Sequence, residues 1–362
     1  MIYKLILTLR NARYRDGRRS FKAAVPTVCV GNITVGGTGK TPHTEMILRE
    51  LRQSERWGST SLAVLSRGYK RRSRGFQLLP FDASAALYGD EPSQIKRKFP
   101  SVTVAVDKDR VEGCDILTHP EKARALKKCA AHDFPAADII ILDDAYQYRR
   151  LQADLNIVLS DWNRPVTTDT LLPGGRLRDL KSRLYESEIV IVTKCPYELD
   201  EQERAAAATT LGYDSYDQVT CIATKDGHSQ LLFFSRICYG SPEPLCPDAD
   251  SRYTYSHKMV LFSGIANDTP LCQYLSDNYG IVERIHFPDH HRYGPADVRK
   301  LRRAVKRNPT AVLMTTEKDA QRLRDISKMP ETLKERLFFL PVSVEFLSEN
   351  ERRIFAEKLI TL

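Results

Sequence analysis

The chain has 362 residues, 42% of them hydrophobic and 28% charged, a balance that suits a folded protein with a buried core and excludes one dominated by disorder. Its length favours two domains over one. The net charge of +9 requires a face that attracts anions, which leaves nucleotide phosphates, an acidic membrane surface and nucleic acid as partner classes. The eight cysteines contain no C-x-x-C pair, which favours reduced thiols in the cytoplasm over a disulfide frame or a zinc site.

Residues 1–22 form an amphipathic, basic amino-terminal segment. Met1 to Leu9 is apolar apart from Lys4 and Thr8, and Arg10, Arg13, Arg15, Arg18, Arg19 and Lys22 follow at once. The apolar stretch is too short to span a bilayer and lacks the order of a signal peptide. Ile2, Leu5, Ile6 and Leu9 fall at helical spacing. The segment therefore either lies in a membrane interface with its arginines on anionic headgroups, or packs as a short helix on the core.

From residue 23 to 218, apolar runs at Thr27 to Val30, Leu62 to Leu65, Val102 to Val106, Ile139 to Leu142, Leu155 to Leu159 and Ile189 to Val192 alternate with helix-compatible stretches. This alternation predicts an α/β fold with a mainly parallel sheet flanked by helices. Polar or glycine residues end each run, and in an open α/β sheet these share one ligand-binding rim. Residues 219–257 read as an inter-domain linker with an extended stretch, Gln230 to Phe234, and a loop containing Gly240, Pro242, Pro244 and Pro247. Runs at Met259 to Phe262, Ile281 to Ile285, Ala311 to Thr315 and Leu337 to Leu340 predict a second, smaller α/β domain over 258–362.

Val28 to Thr41 reads as strand, glycine-rich loop and helix start, the P-loop NTPase arrangement. The backbone of Gly36, Gly37, Thr38 and Gly39 can curl around phosphates, Lys40 can reach the β and γ phosphates, and the Thr41 hydroxyl is placed for Mg²⁺. Thr34 stands where the strict motif has glycine. Asp143 and Asp144 end an apolar strand, as a Walker B metal site requires. Asp90 and Glu91 add acids in a turn-prone setting, and a kinase acting on a hydroxyl needs a carboxylate to orient it. His286 and His290 have i, i+4 spacing, but Pro288 between them argues against a zinc pair on one helix. Thr193-Lys194-Cys195-Pro196 lacks the aspartate of a guanine-binding N-K-x-D motif, which disfavours GTP.

Taken together, VPTVCVGNITVGGTGKTP from Val25, SRGY at Ser66, GDEP at Gly89, DDAYQY at Asp143, LLPGGRLRD at Leu171, FSGIAN at Phe262, FPDHHRY at Phe287 and TTEKDA at Thr315 resemble the tetraacyldisaccharide 4'-kinase family, which acts late in lipid A synthesis. The resemblance implies transfer of the ATP γ-phosphate to the 4'-hydroxyl of a tetraacylated glucosamine disaccharide 1-phosphate, giving lipid IVA. It further implies Asp90 as base with His290 as its partner, and Lys40 and Thr41 on the nucleotide. Glu91, Asp143 and Asp144 would serve Mg²⁺, and Arg176 and Arg178 the acceptor's existing phosphate. A peripheral place on the cytoplasmic face of the bacterial inner membrane follows, with an anionic membrane surface and the acylated disaccharide lipid as partners and no obligate protein partner. A regulatory P-loop ATPase that switches a protein partner is the competing reading. No nucleic-acid motif accompanies the positive charge, and nucleic acid is not expected as a partner.

Overall fold

The computed structural model describes residues 2–14, 19–126, 129 and 133–362. Arg15 and Arg18 of the basic segment lie outside them, as does Met1. Seven strands pair in parallel in the large sheet, in the spatial order His228–Tyr239, Ile189–Thr193, Leu155–Asp161, Thr27–Gly31, Ile139–Asp143, Leu62–Ser66 and Thr103–Val106. Gln77–Leu78, Ile222–Lys225, Ser215–Asp217 and Val342–Phe346 extend it antiparallel, making eleven strands among the described residues. The central strands are buried at every position and mostly apolar because helices cover both faces of the sheet.

One face is covered by the helix Lys40–Gln53, which buries Met46, Ile47, Leu48 and Leu51. The other receives Glu201–Thr210 through Ala208 and the following Leu211. This packing leaves the carboxyl ends of the parallel strands free as a rim, where the chain places its polar residues. A second sheet holds Gly280–His286, Lys258–Ser263, Val312–Thr316 and Leu337–Leu340 in parallel, with Glu243–Pro244 antiparallel at its edge. Its helix Pro295–Arg307 buries Val298, Leu301, Ala304 and Val305, an amphipathic stripe, and turns its basic residues outward.

Two boundaries differ from the sequence reading. The extended stretch Gln230 to Phe234 is no linker element: it belongs to the long strand His228–Tyr239, which pairs with Ile189–Thr193. The chain end does not stay in the second domain either. Ser235–Tyr239 runs past its parallel neighbour, and Val342–Phe346 pairs with that overhang before the helix Glu349–Ile360 settles against Lys40–Gln53. Phe355 packs edge-on and Phe346 tilted against Phe233 there, Trp57 Nε1 donates to the Leu359 carbonyl at 3.2 Å, and Arg352 reaches Glu50 at 2.9 Å. The crossing between sheets is thus double, through Gly240 to His257 and back through Pro341.

The amino-terminal helix Ile2–Ala12 uses its two faces differently. Leu7 is buried, the Tyr3 hydroxyl donates to the Arg178 carbonyl at 3.0 Å, and Arg10 and Asn11 bind Asp179 at 2.8 and 3.0 Å. Ile2, Leu5, Ile6 and Leu9 point away, each more than half exposed. Among the described residues no helix is long and apolar enough to cross a membrane.

Candidate active site

The loop after Thr27–Gly31 curls because Gly36 and Gly39 adopt φ of 112° and 87°, the left-handed region that other residues avoid. Gly39 then caps the helix Lys40–Gln53 and aims its free N–H groups at the rim. Buried His43 holds this turn: its Nδ1 lies 2.7 Å from the Gly39 carbonyl, which can only accept, so Nδ1 carries the proton and Nε2 accepts from Ser235 Oγ at 2.9 Å. Burial pushes the imidazole down to about 4, and it stays neutral.

The segment Leu171–Asp179 is stitched to the same loop. Val35 N donates to the Arg176 carbonyl and Arg178 N to the Ile33 carbonyl, both at 2.8 Å, and Thr34 bridges Leu177. Thr34 is thus in an extended bridge where a side chain is tolerated, which accounts for its place in the glycine position of the strict motif. Arg178 Nη2 binds both Asp144 Oδ1 and Asn32 Oδ1 at 2.5 Å. Arg176 is exposed beside Gly36.

Asp143 and Asp144 differ in electrostatic state. Burial, together with Glu91 and Asp144, pushes the Asp143 carboxyl up to about 7 against the opposing pull of Lys40 and the Ser66 hydroxyl. Burial would raise Asp144 as well, but Lys40, whose Nζ lies 3.7 Å away, and Arg178 hold it below the usual range. The Thr41 hydroxyl is buried nearby on the same helix start with no hydrogen-bond partner among the described residues. An orphaned hydroxyl and a carboxylate crowded by like charge both suit a divalent cation. Among the described residues no three His, Cys, Asp or Glu side chains form a ready cage. Mg²⁺ does not need one, because phosphates and waters supply most of its ligands.

The second domain reaches this rim through the helix Glu317–Leu323, which packs against Asp90–Lys98. His290 Nδ1 lies 3.4 Å from Asp90 Oδ2, and its ring packs edge-on to Tyr69. Arg322 Nε binds the same oxygen at 3.0 Å, and Lys318 Nζ binds Glu91 Oε1 at 2.5 Å. Burial alone would raise the Asp90 carboxyl, but His290, Arg322 and Lys318 together hold it well below the ordinary carboxylate range. Asp144 and His290 have φ of 50° and 58°, a conformation that costs on the order of 1–3 kcal/mol outside glycine and gathers at functional sites. His286 and His291 stand apart from this cluster, on Asp268 at 3.6 Å and Asp297 at 3.0 Å.

The family model for tetraacyldisaccharide-1-P 4'-kinase matches residues 1–360. The tetraacyldisaccharide 4'-kinase of Phocaeicola vulgatus is 36% identical over 357 residues, covering 97% of this chain and 90% of that protein. That of Parabacteroides distasonis is 37% identical over 350 residues, covering 94% and 86%. The chain belongs to the tetraacyldisaccharide 4'-kinase family. The fold also matches the crystal structure of "apo" form LpxK from Aquifex aeolicus in complex with ATP, with a TM-score of 0.68 at 23% identity over 100% of this chain and 96% of that one.

In this 4'-kinase family member, the residues singled out from the sequence fall into two groups, with His286 standing apart on Asp268. Gly36 to Thr41, Asp143, Asp144, Arg176 and Arg178 surround the phosphate loop, and Asp90, Glu91 and His290 meet at the domain junction. Sequence reasoning missed His43, Lys318 and Arg322. Lys318 was visible within TTEKDA, but its target Glu91 lies 227 residues away. His43 follows Lys40 by one helical turn, a spacing that could have marked it as a support of the loop.

Proposed function

We propose that this chain transfers the γ-phosphate of ATP to the 4'-hydroxyl of a tetraacylated glucosamine disaccharide 1-phosphate, forming lipid IVA. The observation that carries this reading is the meeting of a phosphate loop with a carboxylate held from a second domain, inside a chain of the 4'-kinase family. A switch ATPase needs the first of these features only.

Gly36, Gly37, Thr38 and Gly39 would cradle the triphosphate with backbone N–H groups, and Lys40 would reach its β and γ oxygens. Thr41, Asp143 and Glu91 would hold Mg²⁺, with Asp144 beside them, and the ion when bound neutralises charge on the phosphate oxygens. Asp90 orients the sugar hydroxyl in line with the γ-phosphate and accepts its proton, and His290 steadies the carboxylate. Since phosphoryl transfer depends mainly on position and charge, closure of the two domains over the rim also serves by excluding water. Arg176 is the exposed cation best placed for the acceptor's 1-phosphate, and Arg178 can share that task from its seat on Asp144.

The exposed apolar face of the first helix, followed in sequence by Arg10 and Arg13, suits an anionic bilayer. We place the protein peripherally on the cytoplasmic face of the inner membrane, where an acylated acceptor is presented. ADP release should require both Mg²⁺ and acylated disaccharide 1-phosphate. Turnover of ATP that ignores the lipid would favour a regulatory ATPase instead.

A further inference from the structure

We propose that Arg322 is the positioning residue of this kinase, the group that converts closure of the second domain into a fixed orientation of Asp90. The inference rests on the kinase reading above. Arg322 is buried at the junction, and its guanidinium accounts for its donors on both sides. Nη1 donates to the Gly264 carbonyl at 3.0 Å and to Asp319 Oδ1 at 2.8 Å, both in the second domain. Nε and Nη2 donate to Asp90 Oδ2 in the first, and Nη2 also lies 3.3 Å from His290 Nδ1.

The anchor beneath it is rigid. Asp319 Oδ2 accepts from Gly264 N at 2.8 Å and from Thr316 Oγ1 at 2.7 Å, while Thr316 caps the helix by accepting from Asp319 N at 3.1 Å. The planar fork of arginine is thereby held at one edge and offers the other to Asp90. Lys318 precedes Arg322 by four residues, so one helical face carries both cations to the first turn of Asp90–Lys98, where Asp90 and Glu91 sit side by side.

This arrangement gives the two oxygens of Asp90 different tasks. Oδ2 is taken up by Arg322 and faces His290, whereas Oδ1 receives only the Glu91 backbone N–H at 3.1 Å among the described hydrogen bonds. A carboxylate oxygen can accept more than one hydrogen bond, so Oδ1 is the oxygen left to receive the sugar hydroxyl. When the domains part, Asp90 loses the guanidinium and with it a defined direction. His290 leaves with the same domain, and at 3.4 Å its contact is longer than those of the fork.

The test uses the full-length protein with MgATP and tetraacyldisaccharide 1-phosphate in mixed micelles. Wild type, Arg322→Ala, Arg322→Lys, Asp90→Asn and the Asp90→Asn/Arg322→Ala double variant are compared. Misplacement of the carboxylate predicts that Arg322→Ala lowers kcat by about 10²-fold while KM for ATP changes less than about threefold. Arg322→Lys should recover part of the loss, and free guanidinium ion at low millimolar concentration should raise the rate of Arg322→Ala but not of Asp90→Asn. The double variant should be no slower than Asp90→Asn by more than about threefold, because with Asp90 neutral there is nothing left to aim. Full multiplicative loss in the double variant, an unchanged kcat in Arg322→Ala, or equal damage to every KM with no rescue by lysine or guanidinium would overturn the proposal. If Arg322→Ala fails to fold, Arg322→Lys decides alone, and wild-type kcat in that variant counts against the two-donor hold on Oδ2. A wild-type protein inactive on this acceptor defeats the kinase reading and the inference with it, whereas an active wild type with an indifferent Arg322 defeats the inference only.

Discussion

Glu317→Gln is expected to stabilise the protein at alkaline pH and leave it nearly unchanged at pH 5. Glu317 sits at the start of the helix that joins the domains, where Lys98 Nζ binds both it and Glu45 at 2.8 Å and Glu317 also accepts from Val342 N at 3.1 Å. Burial and the neighbouring Glu45 push the Glu317 carboxyl from 4.5 up to about 7, with Lys98 opposing. A carboxyl that holds its proton more tightly when folded makes stability fall as pH rises from about 4.5 to about 7, and leaves the full penalty in place above that. At about 1.4 kcal/mol per tenfold change in proton affinity, the penalty above pH 7 is on the order of 3 kcal/mol. The substituted amide would keep an acceptor for Val342 N and carry no charge, and Lys98 would retain Glu45. Differential scanning fluorimetry of both proteins from pH 5 to pH 8.5 should show the wild-type Tm falling more steeply, with the variant ahead by several degrees at pH 8. Asp143, pushed up to about 7, and Asp107, to about 6, slope the same way in both proteins, so the difference reports Glu317 together with the Glu45 that shares Lys98. A variant less stable than wild type at pH 8 would show that the Lys98 ion pair outweighs the cost of burying its acid, and would refute the reasoning.

Thr41→Val should raise the Mg²⁺ concentration for half-maximal rate on the order of tenfold at unchanged Tm, and an unchanged Mg²⁺ dependence would remove Thr41 from the metal site. Arg178→Ala should raise the acceptor KM about tenfold, the worth of a charged hydrogen bond, and more than it raises the ATP KM; equal effects on both would restrict Arg178 to holding Asp144. The triple change Leu5→Glu, Ile6→Glu and Leu9→Glu falls on exposed positions and should leave Tm unchanged while cutting sedimentation with anionic liposomes by about tenfold or more. Liposome binding equal to wild type would leave the first helix with a docking role only. Asp90→Ala and His290→Ala should each lower kcat by about 10² or more, with a double variant far above the product of the two losses. Multiplicative losses would separate the two residues.

The parallel strands of both sheets, His228–Tyr239 aside, were legible because strands covered on both faces are nearly continuous apolar runs, as Ile139–Asp143 and Ile189–Thr193 are. Their ends marked the rim, and with it the phosphate loop and Asp143-Asp144. The return of the chain end was not legible, since nothing local in Val342–Phe346 tells that its partner is Ser235–Tyr239 rather than a strand of the second sheet. Arg322 was hidden for a related reason. It lies in a short stretch with Lys318, Asp319 and Arg324 that reads as a solvated face, and only the packing of two domains turns it into a buried contact 232 residues from Asp90. The first helix was half legible: its exposed apolar stripe follows from spacing, but its attachment depends on Asp179, whose carboxylate the loop Leu171–Asp179 brings beneath Arg10 and Asn11.

The central claim is phosphorylation of a sugar hydroxyl at a site completed by two domains. Its most direct measurement is mass spectrometry with phosphorus NMR of tetraacyldisaccharide 1-phosphate after incubation with MgATP and wild type, Lys40→Ala or Asp90→Ala. The wild type should add one phosphate, on the 4' oxygen, in step with ADP release, and both variants should leave the lipid nearly unmodified while remaining folded. ATP consumed by the wild type with no phosphate gained by the lipid, or full product from folded Asp90→Ala, would contradict the account.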